Sequence, residues 1–224
     1  MSHYCRDVQL FHNKFGLEIP SDFTFLNRNV FDFRVKFFYE ELTEYVDSCS
    51  ANDLGTAVDS LIDLVYITCG TALFHGIGFD KFDEILDFDH KAAGLESPNL
   101  TPTGNPHFLT PADNSSFIAN INSNIEMYID ASEVNNADII KRALASIYLN
   151  CMFASTKMDL TNEQWDEMWA DVQRANMSKE RATSATQSKR SSTLDVFKPE
   201  GWIPPRTEEL IASYLRINNG TIEA

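Results

Sequence analysis

The chain has 224 residues and a formal net charge of −15, from 33 Asp and Glu against 18 Lys and Arg, which excludes a general affinity for phosphate polymers because that rests on clustered cations. A hydrophobic content of 43% with 16 Phe fills a real core, and the length suits one large domain or two small ones. Cys5, Cys49, Cys69 and Cys151 show no CxxC spacing, so they read as reduced, mostly buried thiols of a cytoplasmic protein.

The N-terminus MSHYCRDVQLFHNKF lacks an apolar run of signal-peptide type, and the most apolar stretch, Leu64 to Phe74, is too short to span a bilayer. No membrane role is expected. Apolar spacing near 3.6 then dominates, and no run of alternating strand pattern stands out. A first helix is expected over about 3–15, with Val8, Phe11 and Phe15 on one face and Gly16 as its stop. The next, over about 29–48, carries FYEELTEYV. A third runs from about Asn52 as N-cap to His75 before Gly76, and a fourth over about 79–92.

Residues 94–114, rich in Pro, Asn, Thr and Gly, read as a linker loop. Helices are expected at about 115–131, 136–157 and 162–178, the last opened by Thr161 and Gln164 as a capping box. The polar stretch 180–193 is expected to be mobile, and the chain ends with KPEGWIPPR and a short helix from about Thr207. The fold class is all-α. Its units are 1–93, the linker 94–114, a second helical unit 115–179, and a flexible linker and C-terminal arm over 180–224.

At an offset of 83, Tyr45-Val-Asp47 aligns with Tyr128-Ile-Asp130, and Phe82-Asp-Glu-Ile-Leu86 with Trp165-Asp-Glu-Met-Trp169. A duplication and a chance likeness of two helical hairpins are both compatible with so few identities. The acids are not repeated. Glu40, Glu41, Glu44, Asp59 and Asp63 fall opposite Ser123, Asn124, Met127, Arg142 and Ser146.

On a helix Glu40 and Glu41 both lie beside Glu44, and Asp59 and Asp63 share a face of the next, antiparallel helix. Five like charges between two helices need cations or protons. A solvated acidic face is an equal reading for Glu40 alone, but Asp63 sits in the apolar run Ser60-Leu-Ile-Asp-Leu-Val-Tyr-Ile67, where a lone carboxylate costs several kcal/mol. Arg34 and Lys36 lie near in sequence, yet two cations do not balance five acids. Hard divalent ions, Mg²⁺ or Mn²⁺, satisfy the count better.

Glu40-Glu-Leu-Thr-Glu44, followed after fourteen residues by Asp59-Ser-Leu-Ile-Asp63, resembles the EExxE and ExxD pair of the all-α nucleoside triphosphate pyrophosphohydrolases, which include MazG, phosphoribosyl-ATP pyrophosphohydrolase and the dimeric dUTPases. Residues 8–16, 64–72, 176–179 and 198–205 resemble phage and bacterial MazG-like members. Position 60 departs from the pattern: it is Ser, with the acid one residue back at Asp59. About 70 residues are also inserted before Asn176-Met-Ser-Lys179, a plan nearer to the dimeric dUTPases, which resemble a duplicated unit with one degenerate half.

The resemblance implies a MazG-like helical bundle and Mg²⁺- or Mn²⁺-dependent cleavage of a (d)NTP between its α- and β-phosphates, giving the monophosphate and pyrophosphate. Glu41, Glu44, Asp59 and Asp63 would hold the metal, with Glu40 completing the shell or, beside Glu41, orienting water. Asn176, Lys179, Lys198, Arg34 and Trp202 would meet the substrate. The residues themselves leave other readings open: a Lys past a helix end complements its dipole, Asn176 could cap its helix, and Trp202 could anchor the arm. His12, His75 and His107 show no metal-like spacing. Implied partners are a nucleoside triphosphate and a second copy of the chain as homodimer or higher oligomer, with no nucleic acid polymer and no membrane, in the cytoplasm, a phage's host included. A dUTPase-like enzyme and a silent nucleotide-binding protein are the alternatives.

Overall fold

Caps and left-handed residues set the element boundaries of the computed structural model, which describes residues 2–92, 101–188 and 192–218. Helix α1 (Ser2–Phe15) stops at Gly16, whose φ of +60° suits a residue without Cβ. Helix α2 (Arg28–Ala51) starts from Asn27, whose side chain accepts from the Val30 N–H at 3.1 Å. Asn52, expected to open the next helix, instead closes α2 in the left-handed region at φ 58°, its N–H directed to the carbonyls of Cys49 and Ser48. Asp53 is the cap of α3 (Leu54–Phe74), accepting from Thr56 N and Oγ1 at 3.0 and 2.7 Å. With two residues for the reversal, the first must turn and the second caps, and Asn tolerates the turn.

Helices α4 (Phe79–Ala92), α5 (Pro111–Glu133), α6 (Ala137–Lys157), α7 (Asn162–Met177) and α8 (Thr207–Asn218) complete the all-α class. The capping box of Thr161 and Gln164 is present on α7. Residues 94–100 of the expected linker lie outside the described residues. The rest of it before α5 is pinned by Asp159, which accepts from the backbone N–H groups of Thr103 and Asn105 at 2.6 and 3.2 Å.

The stretch expected to be mobile contains structure. β1 (Glu180–Arg181) pairs antiparallel with β2 (Val196–Phe197), and Asp195, 2% exposed, accepts from Ser188 Oγ at 2.8 Å. Buried hydrogen bonds hold what the polar composition suggested would be loose. Residues 189–191 and the end of the arm, 219–224, lie outside the described residues.

The offset of 83 seen in sequence is repeated in the backbone. Leu54–Phe74 maps onto Ala137–Lys157 residue for residue, and the start of α2 maps onto Pro111, the start of α5. Asn52 and Gly76, at φ 58° and 73°, map onto Asn135 and Asp159, at 53° and 64°. Two left-handed turns in register are specific features of chain reversal, so the hairpins α2–α3 and α5–α6 are one plan used twice. They pack together, α2 on α5 and α3 on α6. His75, at the end of α3, ties them: Nδ1 meets Thr24 O at 2.7 Å and Nε2 meets Tyr128 Oη at 3.1 Å.

Helix α3 lies at the centre, against α1, α2, α4, α6 and α8. It is 21 residues long and, counted from Leu54, long and apolar enough to cross a membrane, contrary to the shorter run read from sequence; 89% of that window is covered by the surrounding chain. Cys5 and Cys69 form a disulfide joining α1 to α3 across a Cα–Cα distance of 5.1 Å, while Cys49 and Cys151 are free. The expectation of four reduced thiols is therefore corrected. Spacing in sequence could not reveal a pair brought together by helix packing.

Candidate active site

A cavity of about 500 Å³ runs between α2 and α3, walled by α1 on one side and by the end of α7 with β2 on the other. Its floor follows from helical periodicity. Phe33, Arg34, Phe37, Glu40, Glu41 and Glu44 form one stripe of α2, and Asp59, Asp63, Ile67, Gly70 and Phe74 form the facing stripe of α3. Because the helices are antiparallel, the acidic half of each stripe meets the acidic half of the other, and the aromatic halves likewise coincide. From Phe33 to Glu44 the stripe spans ~16 Å at 1.5 Å per residue.

At the acidic end Glu41 is buried, Glu40, Asp59 and Asp63 are half-buried, and Glu44 is exposed. Asp63 lies deep among protein atoms, and that desolvation, with the charges of Asp59 and Glu44, pushes its carboxyl up to about 7 against the pull of Lys179 and Lys198. Burial also raises Asp59, opposed chiefly by a hydrogen bond from Thr207 Oγ1 at 2.7 Å. Ser60, at the departed motif position, turns its hydroxyl back to Thr56 O at 3.0 Å and does not line the cavity. Placement of the acid at 59 keeps it in step with Asp63 on the groove side.

Lys179 and Lys198 line the opposite wall with buried Asn176. Trp202 does not line the cavity: its Nε1 donates to Ala175 O at 2.9 Å, and the ammonium groups of Lys198 and Lys179 lie 4.3 and 5.8 Å from its ring centroid. It anchors the arm and backs both lysines. The anchor is reinforced by Asp171, 7% exposed, which accepts from Arg174 Nε at 2.9 Å and from the Arg206 backbone N–H at 2.6 Å. Burial opposes ionisation of Asp171, but these hydrogen bonds outweigh it and hold its carboxyl at about 2.

At the other end of the groove the sequence named Arg34 but not its neighbour His12. His12, 2% exposed, lines it from α1, and its Nδ1 has no hydrogen-bond partner among the described residues. Arg34 is buried beside it, donating from Nε to Thr71 Oγ1 at 2.9 Å and from Nη2 to Ile67 O at 2.6 Å, with its guanidinium 5.3 and 5.6 Å from the Phe37 and Phe74 ring centroids. Only the shared spacing of positions 8, 11 and 12 on α1 could have signalled this wall. Tyr66, also unpredicted, donates to Gln173 Oε1 at 2.8 Å, and burial raises its hydroxyl well above the ordinary value.

The donor set at the acidic end is all oxygen, which suits a hard divalent cation. No three acids stand as a ready-made cluster among the described residues. Glu44, being exposed, has room to turn inward.

Residues 8–90 match the family model described as phosphoribosyl-ATP pyrophosphohydrolase. No match was found among curated proteins or solved structures. The matched span runs from α1 into α4 and contains every acid of the groove as well as His12, Arg34 and Gly70, so the likeness covers the groove's two facing stripes. The α1–α4 unit, with its two facing acidic stripes, is thus similar to phosphoribosyl-ATP pyrophosphohydrolase, an enzyme that hydrolyses a nucleotide phosphoanhydride bond.

Proposed function

We propose that the protein hydrolyses a nucleoside or deoxynucleoside triphosphate between its α- and β-phosphates, releasing the monophosphate and pyrophosphate with Mg²⁺ or Mn²⁺. The observation that carries this reading is the polarity of one groove: five carboxylates and two lysines at one end, aromatic side chains at the other. Glu41, Glu44, Asp59 and Asp63 would hold the cation. When bound, it supplies positive charge to the phosphate oxygens and favours in-line displacement. Glu40 and Glu41 orient the attacking water and accept its proton, a role for which carboxylates need only hydrogen-bond reach. Lys179 and Lys198 meet non-bridging phosphate oxygens as point charges, and Asn176 offers an amide to the sugar or a phosphate. The duplicated hairpins favour a dUTP-selective version, since the dimeric dUTPases resemble such a duplicated plan. Completion of the bundle inside one chain accommodates a homodimer without requiring one.

The test is pyrophosphate release from a panel of NTPs and dNTPs with Mg²⁺ or Mn²⁺, with Glu41→Gln beside the wild type. The expected outcome is pyrophosphate rather than phosphate from at least one nucleotide, with kcat reduced by ~10²-fold or more in the variant. Metal-dependent nucleotide binding without turnover would favour the silent binding protein.

A further inference from the structure

We propose that the aromatic end of the groove is a nucleobase subsite selective for bases with a lactam edge, an N–H beside a C=O, read by His12 and Arg34. This deepens the proposed function and rests on it. The groove gives the direction: phosphates belong with the lysines and acids, which leaves the base for the end lined by Phe33, Phe37 and Phe74. Aromatic faces hold any base by stacking but do not distinguish one from another. Discrimination must come from polar groups; Asp195 and the Gln187 side-chain carbonyl also line the groove but already accept from Ser188, Val196, Thr183 and Ser184, which leaves His12 and Arg34 beside Phe74.

Their chemistry is specific. Arg34 is a fixed cation whose guanidinium is held by Thr71 Oγ1 and Ile67 O, so it cannot swing away, and it favours an acceptor over an amino group. His12 is kept neutral by burial and by the charge of Arg34, and a neutral imidazole carries one donor and one acceptor nitrogen. Its buried Nδ1 has no partner among the described residues, an unfavourable situation that a ligand group can relieve. A carbonyl toward Arg34 with an N–H toward an imidazole acceptor describes guanine, hypoxanthine, uracil and thymine. Adenine and cytosine reverse the pattern and place an exocyclic amine against the cation.

Gly70 is what lets the pair close. A Cβ there would lie 3.1 Å from Arg34 Nη2 and 3.3 Å from His12 Nε2, wedged between the two groups. The corresponding position in the second hairpin, at the same offset of 83, is Phe153, and Arg34 corresponds to Phe117, so only the acid-bearing hairpin has this reader.

The experiment separates base reading from chemistry. Binding of dGMP, dUMP, dAMP and dCMP to the full chain is measured by calorimetry in EDTA, which needs neither a metal nor turnover. Expected is a preference of dGMP and dUMP over dAMP and dCMP on the order of tenfold or more. His12→Phe, which keeps a ring against Phe74, should shrink that preference to within about threefold and leave the unfolding midpoint unchanged or raised, since it deletes an unpaired nitrogen. Arg34→Met gives a second reading of the same contrast. Equal affinities for all four, or no binding at millimolar concentration, overturn the subsite. Pyrophosphate release from all dNTPs with equal kcat/KM would overturn it while leaving the proposed reaction standing. Selective binding without pyrophosphate release would do the reverse.

Discussion

Below about pH 6.5 an unfolded His75 takes up a proton that the folded protein refuses. Burial, with the charge of Arg34 adding to it, holds the ring down to about 4 despite the opposing hydrogen bond to Thr24 O. A depressed folded value means that stability is fully present above pH 6.5 and is lost as pH falls toward 4, by up to about 3 kcal/mol for this 1%-exposed ring. His12, held to about 3, acts in the same direction. Urea midpoints taken at intervals from pH 7 to 4.5 should fall less steeply in His75→Gln than in the wild type; parallel curves would remove His75 from the account. At this scale sequence disclosed the acids well, because helical spacing alone places Glu40, Glu41, Glu44, Asp59 and Asp63 on two facing stripes. It could not disclose His12 or Gly70, whose roles depend on where α1 docks, nor Trp202's choice between base and anchor, decided by its hydrogen bond to Ala175.

Helices were legible through their stop and start residues, and the errors were of one kind. Asn52 and Asp53 both suit a cap, and only the two-residue length of the reversal assigns one to each helix. The hairpin β1–β2 was illegible because four strand residues carry no period. Helix α8 lies outside the acid-bearing hairpin yet touches one of its carboxylates. Gly55, in the first turn of α3, leaves no room for a Cβ, which would fall 2.6 Å from Glu208 Cγ and 2.8 Å from its Cα. Gly55→Ala must push α8 outward, and α8 begins with Thr207, the donor to Asp59. The expected result is a loss of about 1–3 kcal/mol in stability together with a several-fold fall in kcat. Thr207→Val should lower kcat with a smaller loss of stability; unchanged kcat in both would detach α8 from the site.

Across the whole molecule, the repetition of α2–α3 as α5–α6 explains why a strongly acidic chain folds: only one hairpin carries the repelling carboxylates, and the other presents Ser123, Asn124, Met127, Arg142 and Ser146 in their places. The first hairpin bears the groove acids and the second packs against it. The duplication was half legible, because its clearest marks are φ angles rather than identities. The disulfide was not legible at all. Thiol titration in denaturant should count two reactive groups, Cys49 and Cys151, before reduction and four afterwards, and reduction should lower stability by ~4 kcal/mol for a bridge closing 64 residues. Four thiols from the start would remove the bridge from the solution protein.

That bridge also makes the acid-bearing part of the chain a closed ring. Residues 5 to 69 include all five groove acids, His12 and Arg34, while the segment between α1 and α2 is the longest stretch of the ring without helix. A proteolytic cut there divides the polypeptide but not the molecule. The helix bearing His12 stays covalently tethered to the helix bearing Asp59 and Asp63, so a nicked protein would travel as one species until a reductant opens it.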